Sequence, residues 1–105
     1  MYVILTSKPG NFRTETVEGL FPVAAYDYMF YGQLKARFVI ARLDREVKVR
    51  VIEDGPGGSV NLVPSKFLEK FDTIERALAE LRQLTSFGHM DTRLVPVPLE
   101  KAPAQ

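Results

Sequence analysis

The chain has 105 residues, a length typical of one domain, and its 46% hydrophobic and 26% charged residues exclude a fully disordered chain and a collagen-like repeat. Cysteine is absent and His89 is the one histidine, which excludes a disulfide scaffold, a thiolate nucleophile and a cysteine-ligated metal centre. The formal net charge of +1 falls short of that of a strongly basic domain.

The first part of the chain predicts one strand followed by a loop. Residues 2–6 are apolar, β-branched or aromatic and end at a Lys-Pro-Gly turn signal, which is typical of a strand. Residues 11–22 mix charged residues with glycine and proline. We expect them to form a loop with at most one short extended piece.

Three segments between residues 23 and 53 predict a central antiparallel meander. Residues 23–31 are rich in aromatic side chains, and residues 35–43 are apolar at their centre. From Val47 to Val51, valines and cations alternate with period two, the mark of a strand with one buried face. The polar breaks between these segments are as short as hairpin loops. We therefore expect three neighbouring strands in one sheet.

The next part of the chain predicts a connector and one helix. Residues 54–59 are rich in glycine and predict a mobile connector, after which Ser65 is expected to cap a short helical turn. Asp72 and Glu75 match an aspartate variant of the capping box. A helix over about residues 73–87 is indicated by an apolar stripe at helical spacing, formed by Ile74, Ala77, Leu78, Leu81 and Leu84.

The C-terminal residues complete the predicted fold. Gly88 is expected to end the helix in a left-handed conformation, and residues 93–97 predict an edge strand because Pro96 lacks a backbone donor. The elements together predict the α+β class, with an antiparallel sheet of four or five strands and the helix packed on one face. We expect a single compact domain over residues 1–98 and a flexible tail over residues 99–105.

No apolar stretch approaches the roughly 20 residues that a transmembrane helix needs, and the first residues lack the features of a signal peptide. The sequence therefore predicts a soluble cytoplasmic protein that does not interact with membranes.

Aromatic side chains are concentrated in the first segment of the predicted meander. On an extended strand, Tyr26 and Tyr28 share one face, and Met29 and Tyr31 share the other. Our first hypothesis is a small non-enzymatic interaction module or accessory subunit, which binds a protein partner or a second copy through a sheet edge or through these four residues. The alternative is ordinary strand composition, because aromatic residues favour strands.

Positive charge is concentrated in the predicted hairpin, residues 35–50. The wider segment 33–53 holds six cations against three carboxylates. Lys48 and Arg50 are expected to project to one side of their strand, with Arg37 beside them on the neighbouring strand. Our second hypothesis is therefore nucleic-acid or anion binding through these three cations. The alternative is a solvated sheet face on which the cations lie opposite carboxylates.

A small acid–base enzyme is the third hypothesis, with Asp27, Tyr31 and His89 as the candidate groups. It requires a pocket that joins at least two of them. The sequence contains no G-x-S-x-G elbow, no phosphate-binding glycine motif and no calcium-binding loop. We accordingly predict no catalytic residue, no cofactor and no metal site.

Overall fold

Two antiparallel sheets and one α-helix make up the computed structural model, which describes residues 1–86 and 88–99. The predicted α+β class, with one helix on one sheet face, is confirmed. The elements in chain order are β1 (Tyr2–Ser7), β2 (Phe12–Glu15), β3 (Leu20–Phe30), β4 (Gln33–Leu43), β5 (Lys48–Glu53), β6 (Val60–Pro64), a 3₁₀ turn (Ser65–Phe67), α1 (Ile74–Leu84) and β7 (Thr92–Val97).

The predicted three-stranded meander is only partly right. The strands β3 and β4 pair as predicted, in a four-stranded sheet with the order β1-β4-β3-β7. The third strand, β5, instead lies between β2 and β6 in a separate three-stranded sheet. The physical reason is that β4 already forms backbone hydrogen bonds with β1 on one side and β3 on the other, so neither of its edges is free for β5.

Three segments that the sequence analysis had not assigned as strands take part in the sheets: β2, the start of β3 and β6. The predicted loop over residues 11–22 contains β2 and the start of β3. Thr14 of β2 is joined to β1, because its backbone N–H donates to Ser7 Oγ at 2.9 Å and its hydroxyl donates to the Thr6 carbonyl. This link between β1 and β2 forms the corner at which the chain passes from one sheet to the other.

The four-stranded sheet is the middle layer, because a core cluster packs on each of its faces. On one face, Val3, Leu5 and Val39 pack against Val49 of the three-stranded sheet. On the other face, residues of β4 pack against Ala77 and Leu81 of α1. The molecule therefore has three layers: the helix, the four-stranded sheet and the three-stranded sheet.

The start of α1 differs from the predicted capping box. Thr73, rather than Asp72, is the N-cap, and its hydroxyl oxygen accepts from the Arg76 backbone N–H at 3.1 Å. Its extended backbone conformation is the one that N-cap residues adopt. The observed N-cap therefore lies one residue after the predicted one.

The helix ends earlier than predicted, at Leu84. Thr85 is the C-cap, where the backbone leaves the helical conformation (φ −109°, ψ 7°), and its hydroxyl donates to the Leu81 carbonyl at 2.7 Å. Gly88 has the expected positive φ, but it lies beyond the cap. Phe87 at the predicted helix end, and residues 100–105 of the predicted tail, lie outside the described residues.

Ser65 does not cap the short turn that follows β6. Pro64 precedes the turn without a side-chain cap, and the Ser65 side chain is fully buried instead. Its Oγ accepts from the Val47 backbone N–H at 2.9 Å and donates to Glu46 Oε1 at 2.5 Å. These two hydrogen bonds therefore join the segment before β5 to the end of β6.

Candidate functional site

The candidate partner-binding residues of β3 are divided between two surfaces. Tyr26 and Tyr28 pack, partly buried, in the core beneath α1. Met29 follows on the opposite face of the strand. Tyr31 lies in the β3–β4 turn with φ +50° and is 59% exposed. The structure thus does not bring these four residues together into one aromatic patch.

The candidate anion-binding residues are also divided. Lys48 and Arg50 are exposed and flank the buried Val49, as the alternation predicts. Arg37 lies in the other sheet, on the same face of β4 as the buried Val39. Arg37 is therefore not on the outward surface that Lys48 and Arg50 share.

Arg37 is paired with Asp27, the residue directly opposite on β3. Its Nε donates to Asp27 Oδ1 at 2.5 Å and its Nη2 donates to Oδ2 at 3.1 Å, a two-pronged arrangement that favours arginine over lysine. The hydrogen bond to Asp27 raises the pKa of Arg37, against the opposing effect of desolvation. The ion pair gives both charged side chains a structural role, and both oxygens of the Asp27 carboxylate accept hydrogen bonds from Arg37.

The Asp27–Arg37 pair is expected to contribute a coupling free energy of about 1 kcal/mol, because it is two-pronged and partly buried. A double-mutant cycle with Asp27→Ala and Arg37→Ala, measured by urea unfolding, tests this value. The exposed Arg42–Asp44 pair is the matched control and should show a smaller coupling. Equal couplings for the two pairs would contradict the expectation.

The three acid–base candidates do not form a catalytic arrangement in the described part of the chain. Asp27 binds Arg37, while Tyr31 and His89 are exposed. None of the three lines the cleft described below. Among residues 1–86 and 88–99, no group of three His, Asp or Glu side chains is placed to hold a metal ion.

The free edge of β6 is the first feature that the sequence analysis missed. The backbone hydrogen bonds Glu53 N–Ser59 O and Ser65 N–Val47 O show that odd-numbered residues of this segment bond to β5. The N–H and C=O groups of Val60 and Leu62 therefore point away from β5. No described residue pairs with them, since β6 is the last strand of its sheet.

The side chains of the same two residues lie on the outer face of the three-stranded sheet, which turns away from the four-stranded sheet. Val60 is 50% and Leu62 is 56% exposed, and they lie directly opposite Ile52 and Arg50. The alternation of Val60 and Leu62 around Asn61 was the available sequence signal for this strand.

Charge on this outer face is mostly positive. On β2 and β5 the cations of this face are Arg13, Lys48 and Arg50, and the carboxylate beside them is Glu15, 3.6 Å from both arginines. No described carboxylate forms an ion pair with Lys48. An exposed aliphatic edge with a cationic border can accept an extended chain that carries acidic side chains.

Comparisons of the chain with protein-family models, with curated proteins and with solved structures find no match. The class of molecule is therefore defined by its own fold, a small α+β domain in which a helix, a four-stranded sheet and a three-stranded sheet form three layers. Within the described residues, no helix is long and apolar enough to cross a membrane.

Proposed function

We propose that this protein is a non-enzymatic interaction module, and that it binds an extended, acidic segment of a protein partner along the free edge of β6. The observation that supports this most directly is that the outward backbone N–H and C=O groups of Val60 and Leu62 pair with no described residue. An added strand satisfies such groups through main-chain hydrogen bonds, and alternate side chains supply specificity. The predicted cytoplasmic location is part of the same proposal.

The edges of β1 and β7 give less support to strand addition. In β1, Tyr2 already exchanges two backbone hydrogen bonds of 2.8 Å with Phe71, and the Thr6 carbonyl accepts from Thr14. In β7, Leu94 at an outward position is only partly exposed, because its side chain packs against the cluster beneath α1, whereas Val60 and Leu62 of β6 are 50% and 56% exposed. The edge of β6 combines free donors, free acceptors and exposed aliphatic side chains.

The charge of the outer face favours an acidic partner. Lys48 and Arg50 project from the strand next to β6, and their long side chains can reach acidic groups on an added strand. Nucleic-acid binding has weaker support, since Arg37 is held by Asp27 on another surface and Arg50 lies near Glu15.

The experiment is backbone-amide hydrogen exchange with a short acetylated peptide of alternating glutamate and valine. In the free protein, the amides of Val60 and Leu62 should exchange fast, while those of Asn61 and Val63 are protected by β5. The peptide should protect Val60 and Leu62, and added salt should weaken its binding. Unprotected amides at saturating peptide, or equal binding of the peptide with lysine in place of glutamate, would contradict the proposal.

Leu62→Pro removes an outward donor while leaving the inward hydrogen bonds of β6 in place, so peptide affinity should fall about tenfold with the fold retained. Lys48→Glu should also weaken binding, whereas Arg82→Glu, the same charge change on α1, should not.

If Val60 and Leu62 become protected at high protein concentration without peptide, the occupant is a second copy. If single-stranded DNA protects them, the site binds nucleic acid. Either result would overturn the proposal.

A further inference from the structure

A second candidate site lies on the opposite outer layer, beyond the end of α1. The strands β3 and β4 each have 11 residues and so extend about 36 Å, whereas the 11 residues of α1 extend about 16 Å. The helix is too short to cover the whole length of the sheet. The face of the β3–β4 hairpin next to the helix end is consequently left open as a cleft.

The cleft has an apolar floor and a polar rim. Its volume is about 520 Å³, within the range of small-molecule sites. The floor consists of one small residue and aromatic residues, because Ala36 lies opposite Tyr28 and beside Phe38. The described residues that line it are Thr6, Lys8, Asn11, Tyr28, Phe30, Lys35, Ala36, Phe38, Leu84 and Thr85.

Both charged residues in this lining are lysines. No described carboxylate lines the cleft, and none forms an ion pair with Lys8 or Lys35. Lys35 is the extra residue of a β-bulge, because Leu34 to Ala36 on β4 faces only Met29 to Tyr28 on β3. Bulges re-aim side chains, and here Lys35 Nζ lies 6.0 Å from the centre of the Phe30 ring.

We propose that this cleft binds a small monocarboxylate with an apolar body. The aromatic rings of Tyr28, Phe30 and Phe38 contact the apolar body, and the carboxylate lies at the rim with the ammonium groups of Lys8 and Lys35. Lys8 and Lys35, which form no ion pair with a described carboxylate, select the charge of the ligand, and the absence of acidic lining residues among those described removes any repulsion. This site is separate from the β6 edge and does not depend on its function.

Decanoate is the probe, with decylammonium as the ligand of equal chain length and opposite charge. In an amide-resolved NMR titration, decanoate should bind saturably and shift the signals of Tyr28, Phe30, Ala36 and Thr85. Decylammonium should not bind at this site. Equal affinity for the two probes, or no saturable binding of decanoate, would overturn the proposal.

The lysine requirement is tested with the double variant Lys8→Met and Lys35→Met, which keeps the length of both exposed side chains. Its affinity for decanoate should fall at least about tenfold, while Lys48→Met, on the outer face of the three-stranded sheet, should bind like the unchanged protein. An unchanged affinity of the double variant would contradict the proposed charge recognition. Decanoate tests the cleft, and the peptide tests the edge at Val60 and Leu62. The failure of one proposal can therefore be told apart from the failure of the other.

Discussion

Replacing Leu81 with alanine is expected to lower the free energy of unfolding by about 2–5 kcal/mol. Leu81 is 0% exposed and lies in the core between α1 and the four-stranded sheet, in contact with the cluster that contains Phe38 and Ile40. The substitution removes buried apolar surface and leaves a cavity, because a close-packed interior relaxes only partly. Urea unfolding should show a lower midpoint with an unchanged slope.

Leu84→Ala is the matched control for Leu81→Ala. Leu84 belongs to the same predicted apolar stripe, but it is 54% exposed at the end of the helix. Its replacement should change stability by less than about 0.5 kcal/mol. Similar losses for the two variants would show that the buried face of α1 is assigned wrongly.

Ser65→Ala should cost about 2 kcal/mol, which is large for the loss of one oxygen atom. The Ser65 hydroxyl is buried and accepts from Val47 N–H while donating to Glu46. Alanine leaves the Val47 donor without this acceptor, and an unsatisfied buried polar group retains its desolvation cost.

Ser59→Ala, in the exposed loop before β6, changes the same side chain in an exposed setting and should leave the free energy of unfolding within about 0.5 kcal/mol. The readout for both serine variants is urea unfolding. A Ser65→Ala variant as stable as Ser59→Ala would show that the hydroxyl is not needed to join β5 to β6. Hydrogen exchange at the Val47 amide should also accelerate in Ser65→Ala alone.

Local sequence patterns were sufficient to predict the class of the fold and several of its strands and its helix. Period-two alternation identified β5, and the apolar stripe of α1 identified the helix and its buried residues Ala77 and Leu81. Strand partners were not accessible in the same way, because alternation shows which face is buried and not which strand lies alongside. The position of β5 depends on the pairing of β1 with β4, a contact between distant parts of the chain.

The candidate sites were less accessible from sequence for the same reason. Period-two alternation placed Tyr28 and Met29 on opposite faces of one strand, but it could not show that Lys8, just after β1, and Lys35 of β4 line one cleft. The sequence predicts Arg37 as an available cation because it does not reveal that Asp27 is the cross-strand neighbour. The free edge of β6 was identified from which residues, odd- or even-numbered, form hydrogen bonds with β5. That assignment requires the register of the two strands.

The pairing of β1 with β4 also sets the order in which the chain assembles. The β3–β4 hairpin closes through Tyr31 and Gly32, both with positive φ as in a tight type I′ turn, so its nucleation requires little loop-closure entropy. In β1, by contrast, Ser7 meets Arg37 thirty residues later and Tyr2 meets Arg42 forty residues later. We therefore expect the hairpin to form first and the first strand to dock afterwards. Tension applied at the N-terminus would accordingly peel off β1 first and expose one edge of β4 while the hairpin persists.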